Sequence, residues 1–151
     1  LWPTMLIIYI LTTVLQRENQ MLIRRNPETV AAPPNGRYSH SVETPENSRW
    51  LHIAGQVGIK PDGTIPNTIE EQDDQIWKNT MLVLEDAGFG PDDIVKMTIY
   101  STDPNCIDSH MENRKKYLNE GKMPATTWLN ISSLATPALL IEMETIAAKK
   151  V

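Results

Sequence analysis

The chain has 151 residues, of which 40% are hydrophobic and 22% charged, so it can form one domain with a buried core, and this composition argues against intrinsic disorder. Its formal net charge of -5, from 14 Lys and Arg against 19 Asp and Glu, argues against charge-driven binding of nucleic acid. A single cysteine excludes an internal disulfide, and three scattered histidines give no spacing typical of zinc ligands.

The first twenty residues differ from the rest of the chain. An unbroken apolar run covers residues 5–15, which is shorter than the stretch of about 20 that a membrane-spanning helix needs. The flanking residues do not match a secretory signal. The run is therefore open to three interpretations: translated sequence upstream of a true start at Met21, a hydrophobic docking segment, or part of an anchor. We favour the first, and expect one domain over residues 21–151 with no membrane contact unless residues 1–20 are retained.

The segments before the first long helix alternate between irregular stretches and strands. Prolines and a glycine predict an irregular entry segment over residues 26–36. Residues 38–43 and 50–54 are typical of strands, and Gly55 is expected to end the second of them. Two glycines and a proline within residues 58–63 predict a loop rich in turns.

The strongest predicted helix begins at Thr68. Glu71 follows three residues later, and this pair is typical of a capping box that satisfies free amide donors at a helix start. Apolar and small residues at helical spacing predict one buried stripe, formed by Ile76, Thr80, Val83, Leu84 and Ala87. Gly88 is expected to adopt the left-handed conformation that ends a helix, and Pro91 prevents its continuation.

The second half of the chain predicts a strand, a helix and two more strands. Residues 94–101 alternate apolar and polar side chains. Asp103, followed by a proline, is typical of the cap of a helix that we expect to run to about Leu118. Residues 126–132 and 139–148 predict the last strands. With two helices and five or six strands, this order favours an α+β fold with both helices on one face of a single mixed β-sheet.

Seven short motifs occur in one order along the chain. They are Gly36-Arg37-Tyr38-Ser39-His40, Ile53-Ala54-Gly55-Gln56-Val57-Gly58, Pro61-Asp62-Gly63, Ala87-Gly88, Asp92-Asp93-Ile94-Val95-Lys96, Pro124-Ala125-Thr126-Thr127 and Ile141-Glu142-Met143-Glu144-Thr145-Ile146-Ala147. In this order and spacing they resemble the RidA/YjgF family, also described as L-PSP endoribonuclease-like. Each motif is weak alone, whereas seven in register are specific.

The resemblance implies a chorismate-mutase-like (YjgF-like) α+β fold and a homotrimer with small-molecule clefts between subunits, and we expect a cytoplasmic protein. The best-known activity of the family is hydrolysis of reactive enamines and imines, such as those derived from serine or threonine, to 2-keto acids and ammonia. The family requires no cofactor and no metal for this reaction. Some members are described instead as ribonucleases or translation inhibitors.

The deaminating members of the family carry an arginine at the position of Thr126. A guanidinium holds a carboxylate through two parallel hydrogen bonds, whereas a hydroxyl is neutral and donates one proton. This difference puts in doubt the activity on imino acids derived from serine or threonine, but not the fold. Arg37, Arg49 and Arg114 are possible substitutes, although the sequence places none of them in the cleft.

Glu142 matches the carboxylate that the family uses to orient a water molecule towards the C=N carbon. A carboxylate within hydrogen-bond reach can position that water and accept its proton. Glu144 lies two residues further on the same strand face. Glu142 could equally lie on a face that is exposed or in contact with another subunit, without a role in the site. For Glu144 we prefer this second interpretation.

Further substrate-binding residues implied by the resemblance are Tyr38, Gly55, Gln56, Asn113, Thr126 and Trp128. Tyr38 would cover a ligand and donate one hydrogen bond, or pack as an aromatic at a strand start. Gly55 would let the backbone approach a ligand, or form a turn or bulge. Trp128 would reshape the pocket or stack on a flat substrate, although an interface aromatic is the safer interpretation. Gln56 and Asn113 would add hydrogen-bonding groups.

Three functions remain in competition. The first is a Rid-type hydrolase of a small imine or enamine, and the second is a non-catalytic trimer that binds a metabolite. The third is a ribonuclease or translation inhibitor, which the net charge of -5 disfavours. Cys106, near the start of the second helix, is expected to have a lowered thiol pKa, but it has no identifiable histidine partner that would make it a nucleophile.

Overall fold

The computed structural model describes residues 22–151, so the apolar run over residues 5–15 and the candidate start at Met21 lie outside the described part. The strands are β1 (Ile23–Arg25), β2 (Ser41–Glu43), β3 (Ser48–Val57), β4 (Ile94–Ser101), β5 (Ala125–Asn130) and β6 (Ile141–Lys150), and the α-helices are α1 (Ile69–Asp86) and α2 (Ile107–Arg114). Among residues 22–151, no helix has both the length and the apolar character that crossing a membrane requires.

The strands form a small sheet and a main sheet. β1 pairs only with β2, and the main sheet has the order β3-β6-β4-β5. β4 and β5 run parallel while the other neighbours run antiparallel, so the main sheet is mixed. The predicted α+β fold, with two helices packed on a mixed sheet, is confirmed. The short strand β1 was not predicted, because three residues are too few to show a period.

Strand alternation gives the main sheet two different faces. Met97 of β4 lies opposite Thr126 of β5 and Thr145 of β6, and it joins the hydrophobic core with residues of α1. We call this side the helix face. The adjacent row, which includes Thr98 and Glu144, points to the other side, because successive side chains of a strand alternate. We call that side the open face.

The C-terminal end of α1 forms as predicted, and at the N-terminal end the Thr68 half of the predicted capping box forms. The Thr68 hydroxyl accepts a hydrogen bond from the Glu71 N–H at 3.3 Å, and Gly88 adopts a φ of +76° directly after the helix. The predicted stripe is wrong at one position, since Val83 is 37% exposed. The buried face is instead formed by Ile69, Gln72, Asp73, Ile76, Trp77, Thr80 and Leu84.

The predicted strand ends differ from the observed ones by up to three residues, and two differences along the chain have a clear physical reason. β3 does not end at Gly55 but continues to Val57, with a register shift between Ile53 and Gln56. A glycine is well tolerated at such a bulge. Gly55 therefore marks an irregularity within β3 and not the end of the strand. The second helix ends at Arg114 rather than near Leu118, and the chain continues from there as hydrogen-bonded turns.

Candidate active site

Glu142 lies against Gly55, where β3 and β6 are adjacent. A β-carbon built on Gly55 would lie 1.8 Å from Oε1 of Glu142, so the carboxylate occupies the space that a side chain would need. The next residue, Gln56, donates a hydrogen bond from Nε2 to the carbonyl of Ala54 at 3.1 Å, which spans the bulge. The structure thus brings two of the predicted site residues, Gly55 and Glu142, together, and the close contact requires a residue without a side chain at position 55. Gln56 is the register partner of Met143, so its side chain lies on the helix face, away from Glu142.

Glu142 belongs to a row of residues that crosses the open face. Leu129, Tyr100, Glu142 and Val57 are register neighbours on the four strands. The Tyr100 hydroxyl donates a 2.8 Å hydrogen bond to Oε2 of Glu144, in the adjacent row. Burial, and then the negative charge of Glu144, raise the pKa of the Glu142 carboxyl above its usual range. A carboxylate with a raised pKa is a stronger proton acceptor, as a general base requires.

Thr126 and Trp128 lie on the helix face, away from Glu142. Their register partners on β4 are the buried Met97 and Ile99. The Thr126 hydroxyl donates to the backbone carbonyl two residues earlier, at 3.2 Å. Within one chain, therefore, the predicted base and the predicted position of the anion anchor lie on opposite faces of the same sheet.

Asn113 lies in a buried polar cluster between α1 and α2. Its Nδ2 donates to Asp73 at 3.0 Å, and the other carboxylate oxygen of Asp73 is hydrogen-bonded to Nδ1 of His110 at 2.8 Å. Trp77 stacks on His110 at a centroid distance of 5.8 Å, and Trp128 meets the same ring edge-on at 5.2 Å. Because its amide nitrogen is bonded to Asp73, Asn113 acts as a structural group in this arrangement. Sequence reasoning did not find the aspartate and histidine of this cluster.

Tyr38 and Arg114 line a cavity of about 660 Å³ near the start of β5. The residue after Tyr38, Ser39, forms a parallel bridge to Ala125, which holds this segment beside the strand. Arg114 is only 6% exposed, and its Nη1 donates to the backbone carbonyl of Arg37. Burial, and then the positive charge of Arg37, lower the pKa of the Arg114 guanidinium.

A second, polar groove of about 920 Å³ runs between the loop after β3 and the two helices. Asp74 in this groove accepts hydrogen bonds from Lys78 at 2.6 Å and from Tyr117 at 2.9 Å. Burial, and then the bond to Asp74, raise the pKa of Tyr117 to about 12. Asn113 is the only predicted site residue that lines this groove. Among residues 22–151, no three His, Cys, Asp or Glu side chains converge as metal ligands.

The expectation of a lowered thiol pKa at Cys106 is wrong. The side chain is 4% exposed, and its Sγ lies 3.1 Å from the Ser101 hydroxyl. Burial raises the pKa of this thiol, because a low-dielectric interior disfavours the thiolate, and the carboxylate of Asp103 adds to the effect.

Two glycines near the end of β3 should respond differently to substitution. At Gly58, an added β-carbon would lie 2.6 Å from the Cα of Gln72 in α1, so Gly58→Ala forces backbone movement and should cost about 2 kcal/mol of folding free energy. At Gly55, the obstacle is the flexible end of Glu142, so Gly55→Ala should retain most of its stability while it displaces the carboxylate. Chemical denaturation of both variants checks this expectation, and a greater loss in Gly55→Ala than in Gly58→Ala would contradict it.

Comparisons with known proteins agree with this geometry. A family model described as Endoribonuclease L-PSP matches residues 29–149. A RutC family protein of Aquifex aeolicus is 36% identical over 128 residues, covering 83% of this chain and 99% of the relative. The 2-iminobutanoate/2-iminopropanoate deaminase of mouse is 30% identical over 131 residues, covering 85% of this chain and 93% of the relative.

The fold comparison gives the same result. The crystal structure of YyfB from Yersinia pestis, a protein of unknown function in the conserved Rid family, matches with a TM-score of 0.79 and 29% identity. The match covers 86% of this chain and all of that one. Since the family model spans most of the chain and relatives above 30% identity are matched along nearly their whole length, the chain belongs to the RidA/YjgF family of L-PSP endoribonuclease-like proteins.

Proposed function

We propose that this chain hydrolyses small imines or enamines to 2-oxo acids and ammonia, with Glu142 as the group that orients and deprotonates water. The observation that carries the proposal is the Glu142 carboxylate held against the Gly55 backbone, with its pKa raised by burial and by Glu144. The mouse relative, which carries the name of an imino acid deaminase, supports the class of reaction.

The reaction requires one water molecule for each C=N bond. Glu142 would accept a proton from the water as its oxygen forms a bond to the imine carbon, while the C=N π-electrons move to nitrogen, which takes up a proton. The resulting carbinolamine loses its C–N bond as the hydroxyl loses a proton and the nitrogen gains one, which yields the ketone and ammonia. An enamine enters the same sequence after it tautomerises to the imine. In this scheme the carboxylate returns to its starting state.

We further propose that the complete site lies between copies of the chain in a homotrimer. Glu142 and Thr126 lie on opposite faces of one protomer, so a single copy cannot direct both at one small ligand. In the described residues, Leu129 next to Tyr100 on the open face is 43% exposed, as a contact surface for another copy would be. Light scattering with size-exclusion chromatography should give the mass of three chains. The mass of one chain would contradict the assembly.

A direct assay tests the reaction. An amino acid oxidase can generate 2-iminobutanoate in solution from the matching amino acid, and the appearance of 2-oxobutanoate is then followed with and without the protein. We expect the protein to accelerate the appearance of the ketone in proportion to its concentration. A rate equal to the spontaneous one would contradict the proposal.

Binding without turnover is the second candidate function. It is supported by Thr126, whose hydroxyl is bonded within its own segment, and by the bulk of Trp128 two residues away. A small carboxylate that raises the melting temperature, together with no acceleration in the assay, would favour this candidate. Ribonuclease activity is not part of the proposal, because the net charge of -5 disfavours attraction of RNA.

The pH dependence of the reaction should reveal the influence of Glu144. Glu142 must be ionised to accept a proton, so kcat/KM should fall as the pH falls through its raised pKa. Glu144→Gln removes one of the two causes of that shift while it keeps an acceptor for Tyr100, so the pKa of Glu142 should decrease. The acid limb of the profile should therefore move to lower pH. A limb that stays in place or moves upward would contradict the electrostatic coupling.

A further inference from the structure

The geometry points to Arg114 as the anchor for the carboxylate of a small 2-imino or 2-oxo acid, bound in the cavity that it shares with Tyr38. The identity of this ligand class rests on the proposed function, whereas the anion site itself does not. Thr126 leaves the sheet without a cation at the position where the deaminating members have one. Arg114 would supply that charge from the end of α2.

The first observation is a buried arginine without a counter-charge. Arg114 is 6% exposed, and no carboxylate among residues 22–151 forms an ion pair with it. By contrast, the nearby Arg37 is more exposed and pairs with Asp108 at 3.2 Å. Burial of a cation is unfavourable unless an opposite charge or sufficient hydrogen bonds compensate it. An anion that enters the cavity would provide this compensation.

The second observation is the number of unused donors on Arg114. A guanidinium has five N–H groups, and the structure records one hydrogen bond from this side chain to the described residues, from Nη1 to the carbonyl of Arg37. Because Arg114 is among the residues that line the cavity, its remaining donors are available to a ligand there. A planar fork of donors matches the two oxygens of a carboxylate.

The third observation is the composition of the cavity. The Tyr38 hydroxyl forms no hydrogen bond with the described residues, so it can act as a second donor. Lys115 also lines the cavity, but its ammonium is paired with Glu112 at 2.5 Å, so the positive charge without a partner is that of Arg114, and the exposed Glu120 is the only carboxylate among the lining residues. The volume of about 660 Å³ is in the range typical of small-molecule sites. Charge and size together favour a small monoanion over a cation or a large polyanion.

The fourth observation is the position of the cavity in the fold. Ser39, next to Tyr38, bridges to Ala125 at the start of β5, and Thr126 is the following residue. The cavity is therefore beside the start of β5, close to the position at which the resemblance implies an arginine in the deaminating members. Because the charge comes from α2 rather than from β5, the same anion can be held while position 126 is neutral.

Equilibrium binding of sodium 2-oxobutanoate to the full chain, measured by isothermal titration calorimetry, tests the inference without any turnover. We expect saturable binding to the wild-type protein and at least about tenfold weaker binding to Arg114→Gln, since the charge and the fork are both lost. Arg114→Lys retains only the charge and should give an intermediate affinity. Arg49→Gln is the matched control, because Arg49 is exposed and lies over Phe89, and its affinity should equal that of the wild type.

Several results would overturn the inference. These are an absence of binding to the wild-type protein, equal affinity in Arg114→Gln, or inorganic phosphate binding as tightly as 2-oxobutanoate.

Circular dichroism verifies that each variant is folded. If Arg114→Gln is not folded, Arg114→Lys and Tyr38→Phe decide, and unchanged affinity in both would also overturn the site. Binding that depends on Arg114 without any imine hydrolysis would contradict only the proposed function, whereas hydrolysis with equal affinity in Arg114→Gln would contradict only this inference.

Discussion

Replacement of Glu142 by glutamine is expected to lower kcat/KM for 2-iminobutanoate by about 10²- to 10³-fold, within the range typical for loss of a general base. Glutamine has nearly the same shape and can still hold a water molecule, but it cannot accept the proton that the water must lose. The position should tolerate the change, because Glu142 is only half-buried and its raised pKa shows that its environment disfavours the charged form. The measurement is the initial rate of 2-oxobutanoate formation at several imine concentrations.

Glu144 provides the matched control for this experiment. It lies two residues away on the same strand face, is exposed, and accepts a hydrogen bond from Tyr100, whereas Glu142 packs against Gly55. Glu144→Gln should therefore keep its rate within about threefold of the wild type at neutral pH. Equal rates in the wild type and in Glu142→Gln would remove the role of this carboxylate, and comparable losses in both variants would indicate a general effect of charge on the open face.

The features that the sequence predicted correctly are local ones. The hydroxyl at Thr68 and the glycine at Gly88 act within one turn of the helix ends, so their residue types are sufficient to place the caps. The alternation in residues 94–101 is also a local pattern, and it matches the burial of β4. The same local reasoning fails at Gly55, where the reason for a glycine is a side chain that comes from another strand.

The candidate site was predictable only in part, because its contacts join distant segments. The resemblance to the Rid family singled out Glu142 and Gly55 separately, and only the structure shows the carboxylate lying on the glycine. The resemblance also drew attention to Thr126, although the position and burial of Arg114 depend on how α2 packs. No local pattern could show that an arginine only 6% exposed would lie beside the cavity of Tyr38.

The buried cluster between the helices is the clearest feature that sequence patterns could not show. Asp73 and His110 are 37 residues apart, and each alone is typical of an exposed helix position. A hydrophobic stripe can be recognised from its period, whereas a polar cluster is recognisable only when its partners are known. A hydrogen-bonded cluster of this kind stabilises one packing of α1 against α2, because any shift would leave its donors without acceptors.

Asp73→Leu is therefore expected to lower the free energy of unfolding by about 3 kcal/mol or more, a large effect for a single substitution. The change leaves Nδ2 of Asn113 and the Nδ1 nitrogen of His110 buried without their partner, and each such group costs about 1–3 kcal/mol. Urea denaturation at one fixed protein concentration measures the effect, since stability depends on concentration if the chain assembles.

Two further variants separate the hydrogen bonds from the packing. Glu85→Ala changes an exposed acid on the same helix and should shift stability by no more than about 0.5 kcal/mol. Adding His110→Phe to Asp73→Leu removes a second polar group and keeps a ring to stack on Trp77, so the double variant should lose less stability than the sum of the two single variants. Strict additivity would show that the aspartate and the histidine do not depend on each other, and that the loss in Asp73→Leu comes from steric mismatch rather than from unpaired polar groups.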